Sequence, residues 1–371
     1  MAMDKRQFIK SGVLGLGCLM CLRTEQLFAA SESLDRHTRE ALFYAETPKG
    51  VMCLICPNEC TLKRGELSDC RNRINKDGKL YTIAYGNPCA IHVDPIEKKP
   101  LYHFLPGSRS FSIATAGCNL ACLNCQNWTI SQSSPTETRN YDLMPDAVVD
   151  QAKKNNCKTI AYTYSEPITF FEYTCDSADV AHENGIRNIL VSAGYINPEP
   201  QKHLIKYIDG ANIDLKSFDE SLYLKLNAGK LKPVLDALKM FRESGVWLEI
   251  TNLVIPSWTD DLDMITRMCD WLYDNGFDDV PVHFSRFHPM HKLTQLPPTP
   301  VSTLVKARET AMKAGLKFVY IGNVPGNDAS HTYCPGCKEM IIERRGYQIL
   351  QKNLSAGKCS KCGEKIPGIW D

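Results

Sequence analysis

The stretch AGCNLACLNCQNW, Ala116–Trp128, carries Cys118, Cys122 and Cys125 in a C-x3-C-x2-C spacing. Soft-metal sites usually draw four ligands from the protein. Here the local supply stops at three. Gly117, Asn119 and Asn124 loosen the backbone, so the segment reads as a loop wrapped around a metal centre. Three thiolates can hold three irons of a [4Fe–4S] cluster and leave the fourth open, and an open position is where a metal site meets a substrate or cofactor. A three-cysteine zinc site completed by a distant histidine is the competing reading.

Outward from this loop the sequence alternates. Short β-rich runs begin near Ser110: SFSIATAG, TIAYTYSEP, NILVSAGY, GANIDLKSF, WLEITNLVIP, VPVHFSRFHP and KFVYIGNVPG. Helical stretches separate most of them, at Pro145–Asn155, Ile168–Asn184, Pro198–Tyr207, Leu231–Ser244, Asp260–Asn275 and Pro300–Ala314. Strand–helix alternation predicts an α/β fold on a parallel sheet. Six or so units undersupply an eightfold barrel, so the expectation is a partial (β/α)6 TIM-like barrel over residues 110–328. In such folds chemistry gathers at the C-terminal ends of strands. The cysteine loop, Glu166, Asp214, Lys216, Asn252 and His288 all fall there.

Two further cysteine sets flank this core. Cys334, Cys337, Cys359 and Cys362 form C-x2-C-x21-C-x2-C within residues 329–371, the pattern of a closed zinc-ribbon or rubredoxin-like module. A unit that small needs a metal staple to fold. Cys53, Cys56, Cys60 and Cys70 lie in an N-terminal cysteine-containing module spanning 31–109. Four ligands suit one zinc or one auxiliary cluster, and a structural knot and an electron relay fit them equally. Within this module Ser31–Thr47 is polar and reads as a surface helix. HVDPIEKKPLYHF reads either as a segment packed beside the barrel mouth or as a solvated acid–base surface.

The chain has 371 residues, 43% hydrophobic and 23% charged, with a net charge of +1. Near-neutrality gives no bulk attraction to nucleic acid, so a zinc-ribbon nucleic-acid binder is disfavoured. Seventeen cysteines are too many for chance, yet this chain can build a core without disulfides. Residues 1–30 hold Lys5, Arg6 and Lys10 ahead of an uncharged run from Gly12 to Leu22, the layout of a twin-arginine-like signal or an uncleaved anchor. Export to the periplasm or membrane anchoring is the expectation, with a cytoplasmic location as the alternative.

The C-x3-C-x2-C loop after a first strand resembles the radical SAM superfamily. That resemblance implies a [4Fe–4S] cluster on Cys118, Cys122 and Cys125 whose open iron is chelated by S-adenosylmethionine (SAM). One electron from the reduced cluster then cleaves the sulfonium S–C5′ bond, and the 5′-deoxyadenosyl radical abstracts hydrogen from a substrate. It implies that Ser165 and Glu166 in YTYSEP hold the SAM amino group. NIDLKSF resembles the Asp-x-Lys strand of the pyruvate formate-lyase activating enzyme branch, which implies SAM contacts for Asp214 and Lys216. Glu249, Thr251 and Asn252 fall on the ribose-facing strand, His288 takes the place of a SAM-contacting histidine, and Asn119 and Asn127 complete the set.

The combination of CxxCPxxC, HVDPIEKKPLYHFLPGS, GCNLACLNCQNW, YTYSEP, HFSRFHP, YIGN and a terminal IPGIW further resembles the radical SAM enzyme of the AmmeMemoRadiSam system, from Cys53 to Trp370. Memo-like and AMMECR-like partners and a low-potential electron donor are implied. The substrate is either a partner protein, as in glycyl-radical activation, or a small molecule. The reading from another class is a non-catalytic, exported iron–sulfur or zinc protein for electron transfer or metal binding.

Overall fold

The computed structural model describes residues 36–371; the leader, residues 1–30, lies outside the described residues. Its main sheet has eight strands in chain order: β1 Ala90–Pro95, β2 Arg109–Ala114, β3 Thr159–Tyr162, β4 Arg187–Ser192, β5 Gly210–Asp214, β6 Trp247–Val254, β7 Val282–Arg286 and β8 Val319–Gly322. Strands β2 to β8 run parallel, each paired with the next, and β1 is antiparallel to β2. The seven parallel strands fall on the seven β-rich runs read from the sequence, the last of them, KFVYIGNVPG, pairing with β7.

The intervening helices form where apolar residues recur every three or four positions. In Leu231–Ser244 the buried set is Leu231, Val234, Ala237, Leu238 and Phe241; in Leu262–Asp274 it is Met264, Ile265, Met268, Cys269 and Leu272. Each fully buried large side chain contributes roughly 1.5–3 kcal/mol. Asp261 caps the second of these helices by accepting N–H bonds from Asp263 and Met264. Pro145 and Pro198 start their helices at the position where a missing N–H is harmless.

The polar segment before the first cysteines is not a helix from Arg39 onward. Arg39–Glu40 and Tyr44–Thr47 are strands, the second paired with Gly50–Cys53. The TPKG turn decides this. Gly50 adopts φ +136°, where a Cβ would lie 2.2 Å from the Leu62 carbonyl oxygen, so the chain must fold back as a hairpin.

The HVDPIEKKPLYHF segment is not a solvated surface. His92, Asp94 and Lys99 reach the side chain of Tyr164, just past the C-terminal end of β3, while its second half lies at the other end of the sheet. Because β1 is antiparallel, the chain leaving Pro95 arrives opposite Arg109, where β2 begins. Pro100–Leu105 then runs under the N-terminal ends of the strands. The Asn212 side chain donates to the Pro100 carbonyl, and Phe104 fills the space left by the missing side chain of Gly210, the first residue of β5. Asp94, Glu97 and Lys99 are buried, with Asp94 bridging Lys98, Lys99 and the Tyr164 hydroxyl.

The flanking cysteine sets take opposite ends of the sheet. The C-terminal set sits among short strands, including Thr332–Tyr333, Met340–Arg345 and Gln348–Lys352, beneath the N-terminal ends. Arg344 donates to the Tyr102 carbonyl at 2.8 Å, and Ile369 exchanges backbone bonds with His103 and Leu105. The N-terminal set lies at the C-terminal ends, where Asn72 donates to the Ala116 carbonyl and Asn197 to the Leu54 carbonyl. Among the described residues no helix is long and apolar enough to cross a membrane.

Candidate functional site

The cysteine loop leaves β2 and turns at Gly117, whose φ is +97°. A Cβ there would lie 2.4 Å from the Cys70 carbonyl oxygen, so only glycine allows this close approach. The loop is then clamped along the end of a helix, Glu220–Asn227. Ala121 N–H donates to the Asn227 carbonyl and Leu123 N–H to the Leu226 carbonyl.

Each thiol has a local polar partner. Asn227 Nδ2 donates to Cys122 Sγ at 3.2 Å, the Leu120 N–H faces Cys118 Sγ at 3.4 Å, and Ser131 Oγ lies 3.1 Å from Cys125 Sγ. Burial pushes the Cys118 thiol well above the ordinary range, reinforced by the Glu166 carboxylate. Burial also raises Cys122, against the pull of Lys216 and Asn227. Such thiols shed their protons to a metal.

The strand-end residues converge on this loop. Asp214, last in β5, pairs with Lys216 at 2.8 Å, and both interact electrostatically with Cys122. Burial opposes charge on Lys216, yet Asp214 and Cys122 hold its ammonium well above the usual lysine range. Glu166 is 2% exposed and accepts from Ser192 Oγ at 2.6 Å, from Ala193 N–H at 2.9 Å and from Ile168 N–H at 3.2 Å. It both caps the short helix Pro167–Phe170 and fastens the end of β4. Burial raises its pKa against these donors.

The other expected residues are placed as follows. Ser165 donates to the Thr115 carbonyl, and Asn127 donates to the Tyr164 carbonyl. Asn119 donates to the Tyr195 carbonyl, while its buried Oδ1 has no hydrogen-bond partner. Asn252 donates to the Leu215 carbonyl and also keeps an unpartnered buried Oδ1; strand alternation puts it on the face opposite Thr251. His288 lies exposed just beyond β7. Glu249 is not at this end. It accepts from the N–H groups of Tyr102 and His103 and from His283, deep toward the N-terminal side. Three thiols with hydrogen-bonded sulfurs, an adjacent ion pair and unpartnered amide oxygens nearby form a donor set that fits an iron–sulfur cluster with one iron left for another ligand.

A family model described as the Radical SAM superfamily matches residues 112–271, from β2 through most of the helix Leu262–Asp274. The chain is a member of the radical SAM superfamily. This radical SAM protein is 44% identical over 331 residues to an uncharacterized protein of Methanocaldococcus jannaschii, spanning 88% of this chain and 98% of that one. It is 26% identical over 175 residues to the pyruvate formate-lyase 1-activating enzyme of Escherichia coli K12, covering 46% of this chain and 71% of that enzyme. Among solved structures it is similar to Streptococcus suis SuiB bound to S-adenosylmethionine, with a TM-score of 0.45 and 15% identity, over 62% of this chain and 53% of that one. Membership makes it a radical SAM enzyme, with a [4Fe–4S] cluster and SAM as the superfamily's cofactors, and the match to the activating enzyme makes it similar to that branch.

Two contributors to the radical SAM site escaped the sequence reading, Asn227 and Ser131. The helix that ends in Asn227 had a usable signal. Asp219 is a capping residue that accepts from Leu222 N–H, and Ala228 ends the helix in the left-handed region at φ 56°.

The C-terminal set is a separate metal-competent centre. Cys334, Cys337, Cys359 and Cys362 bring their sulfurs within 4.8 Å of one another. Cys334 and Cys362 are 3.6 Å apart, and Cys337 and Cys359 3.7 Å. Backbone N–H groups of Cys362 and Lys361 pull the Cys359 thiol down to about 7, and burial pushes Cys334 up to about 12.

Proposed function

We propose that this chain holds a [4Fe–4S] cluster on Cys118, Cys122 and Cys125, binds SAM at the remaining iron and abstracts a hydrogen atom from a substrate. The observation that carries the proposal is the three-thiol loop at the C-terminal strand ends, with Asp214 and Lys216 beside Cys122. The cluster and SAM would supply one-electron, hydrogen-abstracting chemistry that no side chain offers. The chain's own residues bind and orient. Lys216, paired with Asp214, offers a cation for the SAM carboxylate, and Ser165 and Glu166 are the residues for its amino group. Asn227 fixes the Cys122 sulfur, and Glu166 locks the end of β4.

On this reading the seven parallel strands form the superfamily's partial barrel, and the C-terminal four thiols are a zinc ribbon bracing its closed end. The resemblance to the AmmeMemoRadiSam enzyme favours Memo-like and AMMECR-like partners and a low-potential electron donor. The basic, apolar leader favours export or anchoring, which fractionation of cells expressing the chain with and without residues 1–30 would test.

The decisive experiment is reductive cleavage of SAM by anaerobically reconstituted protein. 5′-Deoxyadenosine should form with wild type and not with a Cys118→Ala/Cys122→Ala/Cys125→Ala variant, which should also lose about four irons. Equal product from both proteins would overturn the assignment.

A further inference from the structure

Cys53, Cys56, Cys60 and Cys70 are all free thiols; three are buried and Cys60 is half-buried. They form one neighbourhood, since Cys70 interacts electrostatically with each of Cys53, Cys56 and Cys60. The backbone is shaped to present them. The Cys53 N–H donates to the Cys60 carbonyl, closing the first loop, and Glu59 N–H closes a turn onto the Cys56 carbonyl. Arg71 N–H closes a second turn onto the Ser68 carbonyl, and Ser68 Oγ lies 3.0 Å from Cys70 Sγ. Glu59 and Arg71, next in sequence to Cys60 and Cys70, adopt φ of 45° and 67°. Left-handed non-glycine residues are strained and persist where surroundings demand them.

This chain contains its own standard for zinc spacing. Tetrahedral zinc with Zn–S bonds near 2.3 Å holds its sulfurs roughly 3.8 Å apart. The C-terminal set meets that standard, at 3.6 and 3.7 Å. Among the described residues it is the only group whose ligand atoms lie within 4.8 Å of one another. An iron–sulfur cluster asks for no such closeness, because its thiolates sit on separate irons. Among the described residues the N-terminal four are not drawn together within that distance.

A second, independent feature faces these thiols. Arg73 is 1% exposed and pairs with Glu172 through Nη1 at 2.7 Å, but its buried Nη2 has no hydrogen-bond partner. The guanidinium lies within electrostatic reach of Cys53 and Cys70. A buried cation with a free donor suits a centre of net negative charge, which four thiolates around irons provide.

We propose that Cys53, Cys56, Cys60 and Cys70 bind a second iron–sulfur cluster, packed against the backbone of the radical SAM loop. Its contact is direct: the Cys70 carbonyl abuts Gly117, and Asn58 Nδ2 donates to the Asn119 carbonyl at 2.9 Å. Four thiolates close its coordination, so this centre has no open iron for SAM. That the neighbouring loop carries a cluster of its own rests on the assignment made above for Cys118, Cys122 and Cys125.

The test is iron, sulfide and zinc content of the full chain after anaerobic reconstitution, with EPR of the reduced protein with and without SAM. The Cys118→Ala/Cys122→Ala/Cys125→Ala variant should retain iron and acid-labile sulfide in near-equal amounts, with an EPR signal that SAM leaves unchanged. Adding Cys53→Ala and Cys70→Ala should abolish both. Cys60→Ser alone, checked for native circular dichroism, covers the case in which the larger variant fails to fold; it should also lose the SAM-insensitive signal. An iron-free triple variant, or a wild type with two zincs per chain, would overturn the proposal. Retained N-terminal iron in a wild type unresponsive to SAM would instead sink the functional reading and leave this one standing.

Discussion

Asn227 Nδ2 donates to Cys122 Sγ at 3.2 Å, from the last residue of a helix whose carbonyls also clamp the cysteine loop. An N–H bond to a cluster thiolate favours the more negative, reduced state and so raises the reduction potential. Asn227→Ala removes the side-chain donor and leaves the backbone clamp. If about 1 kcal/mol of that bond differs between oxidation states, the potential falls by roughly 40 mV. Spectroelectrochemistry should show this drop with iron content unchanged. An unshifted potential would remove Asn227 from the site.

Lys216 and Asp214 form a charged pair that interacts with Cys122, 21% and 37% exposed, so a ligand can reach them. Lys216→Gln should weaken SAM binding at least ~10-fold, equivalent to about 1.4 kcal/mol. The cluster content should stay constant. Lys216→Arg keeps the charge but not the compact ammonium, so it should recover only part of the affinity. Calorimetric titration of the reconstituted protein with SAM reads both variants.

Much of this was legible because thiol spacing and hydrophobic period are local signals. The helix Leu231–Ser244 matches its sequence boundaries, since its apolar stripe ends at Gly245 in the left-handed region. What escaped is tertiary. Nothing in PLYHF announces that Tyr102 and His103 will offer their N–H groups to Glu249, 147 and 146 residues away, because that follows from the antiparallel run of β1. Glu249 looked like a ligand-facing residue by its place in β6, yet its partners lie toward the opposite end of the strand. Asn227 was missed because a hydrogen bond to sulfur leaves no spacing pattern.

The C-terminal thiols brace the end of the sheet opposite the cysteine loop through Arg344, Thr332 and Ile369. If the proposed zinc sits there, its release should therefore cost stability before it costs cluster. Cys337→Ser or a chelator should remove about one zinc per chain and lower the melting temperature by several degrees, with iron unchanged. Parallel metal analysis and differential scanning calorimetry check this. Equal loss of iron and zinc would show that the two ends are not separate.

His103 supplies the last expectation. It is fully buried, and its Nδ1–H donates to the Pro367 carbonyl at 2.7 Å, leaving Nε2 to accept from the Tyr320 hydroxyl at 2.6 Å. Thr332 in turn donates to Tyr320 and accepts from Arg344. Burial holds the imidazole neutral, lowering its pKa from 6.5 to about 4, although the Glu249 carboxylate pulls the other way and Arg344 and His283 add to the fall. Above pH 6.5 both the folded and unfolded states carry a neutral ring, and its packing counts in full. As pH drops from 6.5 toward 4 the unfolded chain takes up a proton that the folded ring refuses, so stability declines across that window. The loss reaches at most ~3 kcal/mol, at about 1.4 kcal/mol per pH unit. His103→Gln removes the titrating group, so its melting temperature should fall less steeply than that of wild type between pH 7 and 5, whatever its absolute value. Parallel slopes would mean that the ring protonates in place.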